Sequence, residues 1–133
     1  MERGRLINIV DYIVERYKRV AEIGIGNFTD VAILLKDRGV EVIATDIKYI
    51  NCKGLRVIVD DLLKPDLMVY KGVQLLYSLR PPVELVPYIK KLAKDIFSDL
   101  IIKPLSSDIL DGSLVNWNGL LFYFWSKYDI KTD

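Results

Sequence analysis

Short apolar segments alternate along this chain with amphipathic ones, and this alternation restricts its fold more than any other feature. Leu6, Val10, Ile13 and Tyr17 recur with helical spacing, and the apolar segment 20–23 follows at once. The change from a helical to a strand-sized pattern occurs twice more. Strands separated by helices form mostly parallel sheets with helices on both faces. The pattern therefore predicts a minimal Rossmann-like α/β fold, in which all 133 residues form one domain.

Six strands and three helices are predicted. The strands are residues 20–23, 40–44, 56–59, 73–77, 100–102 and 120–125. The helices are residues 6–17, a segment from about Thr29 to Gly39, and a segment that starts at Pro81-Pro82 and ends with Phe97. Only a loop separates the second strand from the third, although a parallel crossover usually needs about a dozen or more residues. Either the crossover helix is missing or these two strands do not pair as expected.

Composition excludes several classes of function. The chain has no histidine, which excludes a histidine triad, a histidine general base and a histidine-ligated metal. Cys52 is the only cysteine, so we expect no disulfide within the chain, no metal site and a reducing cytoplasmic location. The net charge of +1 does not favour a protein that binds mainly to nucleic acid phosphates. We also expect no signal peptide and no membrane association, because no apolar run approaches ~18 residues.

The segment Glu22-Ile23-Gly24-Ile25-Gly26-Asn27 connects the first strand to the second helix and is the strongest indication of a ligand site. Its two glycines permit a tight turn and a close ligand approach, although such turns also occur without ligands. Two acidic residues favour a site. Glu22 ends an apolar strand, where an unused carboxylate is costly. Asp46 ends the second strand, at the spacing where dinucleotide folds place an acid on ribose hydroxyls.

Glu22-x-Gly24-x-Gly26, followed by a strand that ends in Asp46, resembles the first two motifs of class I S-adenosylmethionine-dependent methyltransferases. The resemblance implies S-adenosylmethionine as a nucleotide-type ligand, with the glycine turn against its methionine part and Asp46 on its ribose. Phe28 stands where the motif commonly has a further glycine. The implied ligand contacts are Glu22, Gly24, Gly26, Asn27, Asp46, and Asp60 or Asp61 near the adenine.

The loop after the fourth strand carries Arg80-Pro81-Pro82. Methyltransferases that act on amino groups often have Asp or Asn before two prolines here, to accept hydrogen bonds from the amine. Arginine has no acceptor; it binds a phosphate or carboxylate instead, or it is simply solvated. The run Tyr-Ser-Leu-Arg-Pro-Pro also resembles a small family of uncharacterised archaeal proteins, described as truncated Rossmann-like relatives of the methyltransferases, over nearly the whole chain. The substrate-side candidates are Tyr77, Ser78, Arg80, Pro81 and Lys103.

Two functions remain open. One is a methyltransferase whose acceptor and catalytic residues the sequence does not identify. The other is a non-catalytic nucleotide-binding or interaction module with the same fold. A nicotinamide-dependent enzyme is less favoured, because Thr29 stands where its fingerprint has a third glycine. The apolar segment 120–125 is either a buried strand or an edge that pairs with a second copy in a homodimer; a protein or RNA partner is a further alternative.

Overall fold

The alternating segments build one seven-stranded sheet in the computed structural model, which describes residues 5–132. The strands are β1 (Arg19–Ile23), β2 (Glu41–Asp46), β3 (Val57–Val59), β4 (Leu75–Leu79), β5 (Asp99–Lys103), β6 (Ser113–Trp117) and β7 (Leu120–Trp125). The helices are α1 (Ile9–Val14), α2 (Asp30–Asp37) and α3 (Val86–Asp95), with short 3-10 helices at Leu67–Tyr70 and Val83–Leu85. The spatial order is β3-β2-β1-β4-β5-β7-β6. The first five strands are parallel, and β7 runs antiparallel to both of its neighbours.

The central strands are apolar on both faces, because helices cover the sheet on both sides. In β1, Val20 packs into the core beneath α1 and α2, whereas Ala21 and Ile23 pack into the core beneath α3. In β4, Tyr77 lies on the first face and Leu76 on the second. This alternation has the period of two that a strand imposes. The predicted mostly parallel sheet with helices on both faces is confirmed.

The connection between β2 and β3 contains no helix. The two strands pair in parallel, with Ala44 opposite Val57. The loop between them is closed by an isolated bridge from Cys52 to Leu55, and the Lys36 Nζ of α2 donates to the Gly54 carbonyl at 2.7 Å. Of the two alternatives that the sequence left open, the missing crossover helix is therefore correct.

Several predicted boundaries are wrong. α1 ends at Val14 rather than at Tyr17, and α3 begins at Val86 rather than at Pro81-Pro82, because a 3-10 helix occupies Val83–Leu85. β4 begins at Leu75 rather than at residue 73, because the Val73 N–H closes the preceding turn on the Tyr70 carbonyl and the ladder with β1 starts at Leu75. Phe97 does not belong to α3. Its φ of +55° turns the backbone out of the helix and leaves its side chain 53% exposed.

The strand β6 was not predicted, and its presence changes the role of the apolar segment 120–125. A turn at Asn118-Gly119, whose φ values are 50° and 85°, joins β6 to β7. β7 is thus covered by β5 on one side and β6 on the other. The buried-strand alternative is confirmed for residues 120–125, and the edge that suggested a homodimer is wrong for this strand.

Candidate functional site

A cavity of about 300 Å³ opens at the carboxyl ends of β1, β2 and β3. The strand order reverses between β1 and β4 beside it, and ligands of open α/β sheets bind at such reversals. The volume suits a small organic ligand. The cavity is lined by strand ends, by the segment between β3 and β4 and by the segment just before α3. The lining residues are Ile23, Gly24, Thr45, Asp46, Ile47, Asp60, Asp61, Leu62, Leu63, Tyr70, Pro82 and Leu85.

The glycine turn forms one side of the cavity. The N–H groups of Gly24 and Ile25 both donate to the Thr45 carbonyl, at 3.0 and 3.1 Å, which ties the turn to β2. Gly24 and Gly26 have φ values of +68° and +56°, in the left-handed region that favours glycine. A methyl group at either position would meet no heavy atom within 4 Å. The turn therefore has open space around both glycines, and Gly24 borders the cavity.

Asp46 connects two loops at the edge of the cavity. Its Oδ2 accepts from the Gly26 N–H at 2.8 Å, and its Oδ1 accepts from the Lys48 N–H at 2.9 Å. The side chain is half-buried. Each carboxylate oxygen accepts more than one hydrogen bond, so Asp46 retains capacity for a ligand hydroxyl.

Asp60 and Asp61 are held differently, although they are adjacent in the chain. Asp60 is half-buried, and its Oδ2 accepts from the Tyr70 hydroxyl at 2.7 Å. The Tyr70 hydroxyl also lies 3.3 Å from Thr45 Oγ1, and burial raises the pKa of Tyr70 above its usual value, which keeps the hydroxyl protonated as a donor. Asp61 is exposed, and its Oδ1 accepts from the Leu63 N–H at 2.9 Å.

Phe28 does not fill the cavity. Its ring is 9% exposed and belongs to the core beneath α1 and α2, with Val31 and Leu35 of α2. It is not among the residues that line the cavity. The substitution of a glycine in the family motif by Phe28 therefore adds to the core and leaves the ligand side of the turn open.

Glu22 lies in the core rather than on the cavity wall. It is 2% exposed, and its Oε1 accepts from the Tyr77 hydroxyl at 2.8 Å. Burial raises the pKa of Glu22 to about 8, and burial together with the neighbouring Glu22 carboxyl raises the pKa of Tyr77 well above its usual value. Glu22 thus lies behind the turn, two residues before Gly24.

The substrate-side candidates cluster at the carboxyl ends of β4 and β5, with different exposures. Tyr77 and Ser78 are buried, and Ser78 Oγ donates to the Ile23 carbonyl at 2.8 Å. Pro81 is also buried, whereas Arg80 and Lys103 are half-buried. Neither Tyr77 nor Ser78 therefore presents an exposed side chain, because both are held by β1. Arg80 and Lys103 are adjacent through the backbone, since the Arg80 N–H donates to the Lys103 carbonyl.

The structure brings together only part of the predicted site. Gly24, Asp46, Asp60 and Asp61 line the cavity, whereas Asn27 is exposed on the turn beyond it. Sequence reasoning missed residues that no motif marks. Ile47 directly follows β2, and Leu62 and Leu63 follow the acidic pair, which is the only sequence signal they carry. No such signal marks the other lining residues, Thr45, Tyr70 and Leu85.

Two classes of site are absent from residues 5–132. No group of three or more cysteine and acidic side chains is arranged to hold a metal ion in this range. None of the helices in the same range has the length and apolar character needed to cross a bilayer.

Two solved structures share this fold. The X-ray structure of the sugar N-methyltransferase KedS8 from Streptoalloteichus sp ATCC 53650 has a TM-score of 0.56 and 12% identity, and covers 86% of this chain and 52% of that one. The crystal structure of a SAM dependent methyltransferase from Archaeoglobus fulgidus has a TM-score of 0.54 and 22% identity. The match covers 77% of this chain and 51% of that one. The chain thus spans about half the length of each of these proteins. The likeness confirms the Rossmann-like, class I methyltransferase-like fold.

Similar sequences cover nearly the whole chain. A UPF0146 protein of Archaeoglobus fulgidus is 46% identical over 120 residues, which are 89% of this chain and 92% of that protein. A UPF0146 protein of Methanocaldococcus jannaschii is 40% identical over 117 residues, 83% of this chain and 85% of that one. The family described as "Uncharacterised protein family (UPF0146)" matches residues 6–127. The resemblance to a small family of uncharacterised archaeal proteins is confirmed, and the chain belongs to the UPF0146 family.

Proposed function

We propose that this protein binds S-adenosylmethionine in the cavity at the ends of β1, β2 and β3, and that it acts as a methyltransferase-like protein on an acceptor still to be identified. The observation that carries the proposal is the position of Asp46. It ends β2, joins the glycine turn through the Gly26 N–H, and lines the cavity with acceptor capacity to spare. Ribose hydroxyls are donors that such a carboxylate binds in this fold class.

The residues that line the cavity fit this ligand. Ile47, Leu62 and Leu63 offer apolar surface for a purine base. Asp46 and Asp60 offer acceptors, and the acidic lining suits a ligand that carries a positive sulfonium and an ammonium group. The open side of the glycine turn leaves room for the rest of the molecule.

Two further arguments support methyl transfer in particular. Both structural neighbours are methyltransferases by their titles, although the chain spans about half of each. Methyl transfer depends mainly on aligning the donor carbon with a nucleophile. A chain without histidine therefore has no chemical obstacle to it.

A second candidate is a module that binds the ligand without consuming it. Its support lies at the ends of β4 and β5, where Tyr77 and Ser78 are buried and Arg80 offers donors in place of an amine-accepting side chain. The two candidates differ in turnover. An enzyme converts S-adenosylmethionine to S-adenosylhomocysteine in the presence of its acceptor, whereas a binding module returns it unchanged.

Calorimetric titration with S-adenosylmethionine and S-adenosylhomocysteine tests the binding proposal. We expect micromolar affinity for the wild type and a loss of roughly tenfold or more in Asp46→Asn, because a hydrogen bond to a charged group contributes about 1.5–3 kcal/mol. Asp37→Asn is the matched control, since Asp37 is exposed at the end of α2 and outside the cavity.

The proposal fails if the folded wild type gives no binding heat at millimolar ligand. It also fails if the two substitutions weaken binding equally, since the effect would then reflect overall charge. The lone Cys52 supports a cytoplasmic location, and the basic residues after β4 and β5 support a protein or RNA partner.

A further inference from the structure

Charge is divided across the carboxyl edge of the sheet. On the side of β2 and β3, the cavity wall carries three acidic side chains, Asp46, Asp60 and Asp61, and no basic one. On the side of β4 and β5, the strand ends carry Arg80 and Lys103. The two halves of this edge therefore carry side chains of opposite charge.

Arg80 lies between the glycine turn and β5. β4 is flanked by β1 and β5. Near the carboxyl end of β4, the Ser78 hydroxyl donates to the carbonyl of Ile23, the residue directly before Gly24. The Arg80 N–H donates to the Lys103 carbonyl at 2.6 Å on the other side. Two residues later, Pro82 lines the cavity. Arg80 thus stands at the side of the cavity that faces β5.

Two features of Arg80 are not explained by folding alone. Its φ of +58° is in the left-handed region, directly before a proline, and strained backbone of this kind concentrates at functional sites. Arg80 is half-buried as a residue, and no carboxylate of residues 5–132 lies within ion-pair distance of its guanidinium. A partly buried cation without an internal partner is suited to an anion that comes from outside.

We propose that Arg80 binds an oxyanion, a carboxylate or a phosphate, on the second ligand of this site. This rests on the proposed function, because the second ligand of a site that holds S-adenosylmethionine is the methyl acceptor. The planar guanidinium binds such groups through two parallel hydrogen bonds. The acceptor is therefore an anionic molecule, and a free amine without an acidic group beside it is a poor fit.

Nuclear magnetic resonance titration of the folded chain with sodium phosphate, and separately with sodium acetate, tests the proposal. The ionic strength is held constant with sodium chloride. We expect the Arg80 Nε–Hε signal to shift saturably with at least one of the two anions, and the tighter one to identify the acidic group. Arg80→Lys replaces the guanidinium, which donates two parallel hydrogen bonds, with a single ammonium group. We expect this variant to bind the anion about tenfold more weakly.

Arg80→Gly separates a lost contact from a lost fold. Glycine accepts the φ of +58° without strain, so this variant folds at least as readily as the wild type while it lacks the guanidinium. We expect the saturable shifts of the neighbouring amides to disappear. Arg56→Gln is the matched control and keeps them, because Arg56 is exposed before β3, at the opposite end of that strand from the cavity.

The outcomes separate this inference from the proposed function. Absence of saturable shifts with both anions, or unchanged shifts in Arg80→Gly, overturns the Arg80 proposal, even where S-adenosylmethionine binds. Saturable oxyanion binding that Arg80→Gly abolishes supports the Arg80 site. If the wild type then binds no S-adenosylmethionine, it is the proposed function that fails.

Discussion

Among residues 5–132, the Glu22 carboxyl group has a single side-chain hydrogen-bond partner, the hydroxyl of Tyr77 at 2.8 Å. Burial raises its pKa from about 4.5 to about 8, so it stays protonated in the folded protein at neutral pH but ionises when the chain unfolds. Between about pH 4.5 and about pH 8, the folded state therefore binds more protons than the unfolded state. The free energy of unfolding therefore falls as the pH rises through the interval, by roughly 1.4 kcal/mol for each pH unit, and levels off above it.

Glu22→Gln tests this account. The amide stays neutral at every pH and its oxygen still accepts from the Tyr77 hydroxyl. We expect the variant to lose the part of the pH dependence that lies between about pH 4.5 and about pH 8, and to exceed the wild type in stability at the upper end. Urea unfolding across this range measures it. The control variant Glu84→Gln, at an exposed position, should keep the pH dependence of stability of the wild type. If Glu22→Gln also kept that pH dependence, Glu22 would be ionised in the core and the account would be wrong.

Among single residues, sequence reasoning located the acids at strand ends but not the direction of their side chains. Asp46 and Asp60 follow strands and line the cavity, as their positions suggest. Glu22 precedes the glycines by the spacing of the methyltransferase motif, yet its side chain enters the core. Strand residues alternate between the two faces, and the face that Glu22 occupies is filled by Tyr77, a long-range partner that no local pattern indicates.

At the scale of elements, the turn between β1 and α2 is the part of the chain most directly open to a ligand. Gly24 lines the cavity with a φ of +68° and open space around it. Gly54 has a similar φ of +86° and open space, in the loop between β2 and β3 and away from the cavity. The two glycines are thus matched in backbone conformation and differ in their relation to the site.

Alanine at each of these positions should cost a similar amount of stability, about 1–2 kcal/mol, because both adopt the left-handed conformation. Only Gly24→Ala should also weaken the binding of S-adenosylmethionine, since its methyl group occupies space on the ligand side of the turn. Thermal unfolding and calorimetry on the pair measure both effects. Equal affinities in the two variants would mean that the ligand does not approach Gly24.

Elements with a strong apolar pattern were predicted, and elements defined by long-range pairing were not. The buried strands β1, β4 and β5 and the three helices carry the periodicity of their environment. β6 was missed because three of its five residues are exposed at the edge of the sheet, which leaves no alternation to detect. Phe97 continued the helical pattern of α3, but the backbone turns at that residue. The missing crossover helix was recognised because the loop is simply too short for one.

At the scale of the whole molecule, the strand order determines which cavity is the candidate site. The described residues also form a larger cavity of about 810 Å³, on the outer side of α3 and far along the chain from the glycine turn. Lysines and apolar side chains line it, among them Tyr88, Lys94 and Ile109. By volume alone, the larger cavity would be the candidate ligand site. The smaller cavity is the better candidate because it lies at the reversal of strand order, beside the glycine turn and Asp46.

The location of bound S-adenosylmethionine is therefore the measurement that tests the central claim most directly. Amide chemical shifts of the assigned protein are followed by heteronuclear nuclear magnetic resonance during titration with the ligand. We expect saturable shifts at Gly24, Ile47 and Leu62, which line the smaller cavity, and none at Tyr88 or Ile109. Shifts confined to the cavity beside α3, or no shifts at millimolar ligand, would contradict the account.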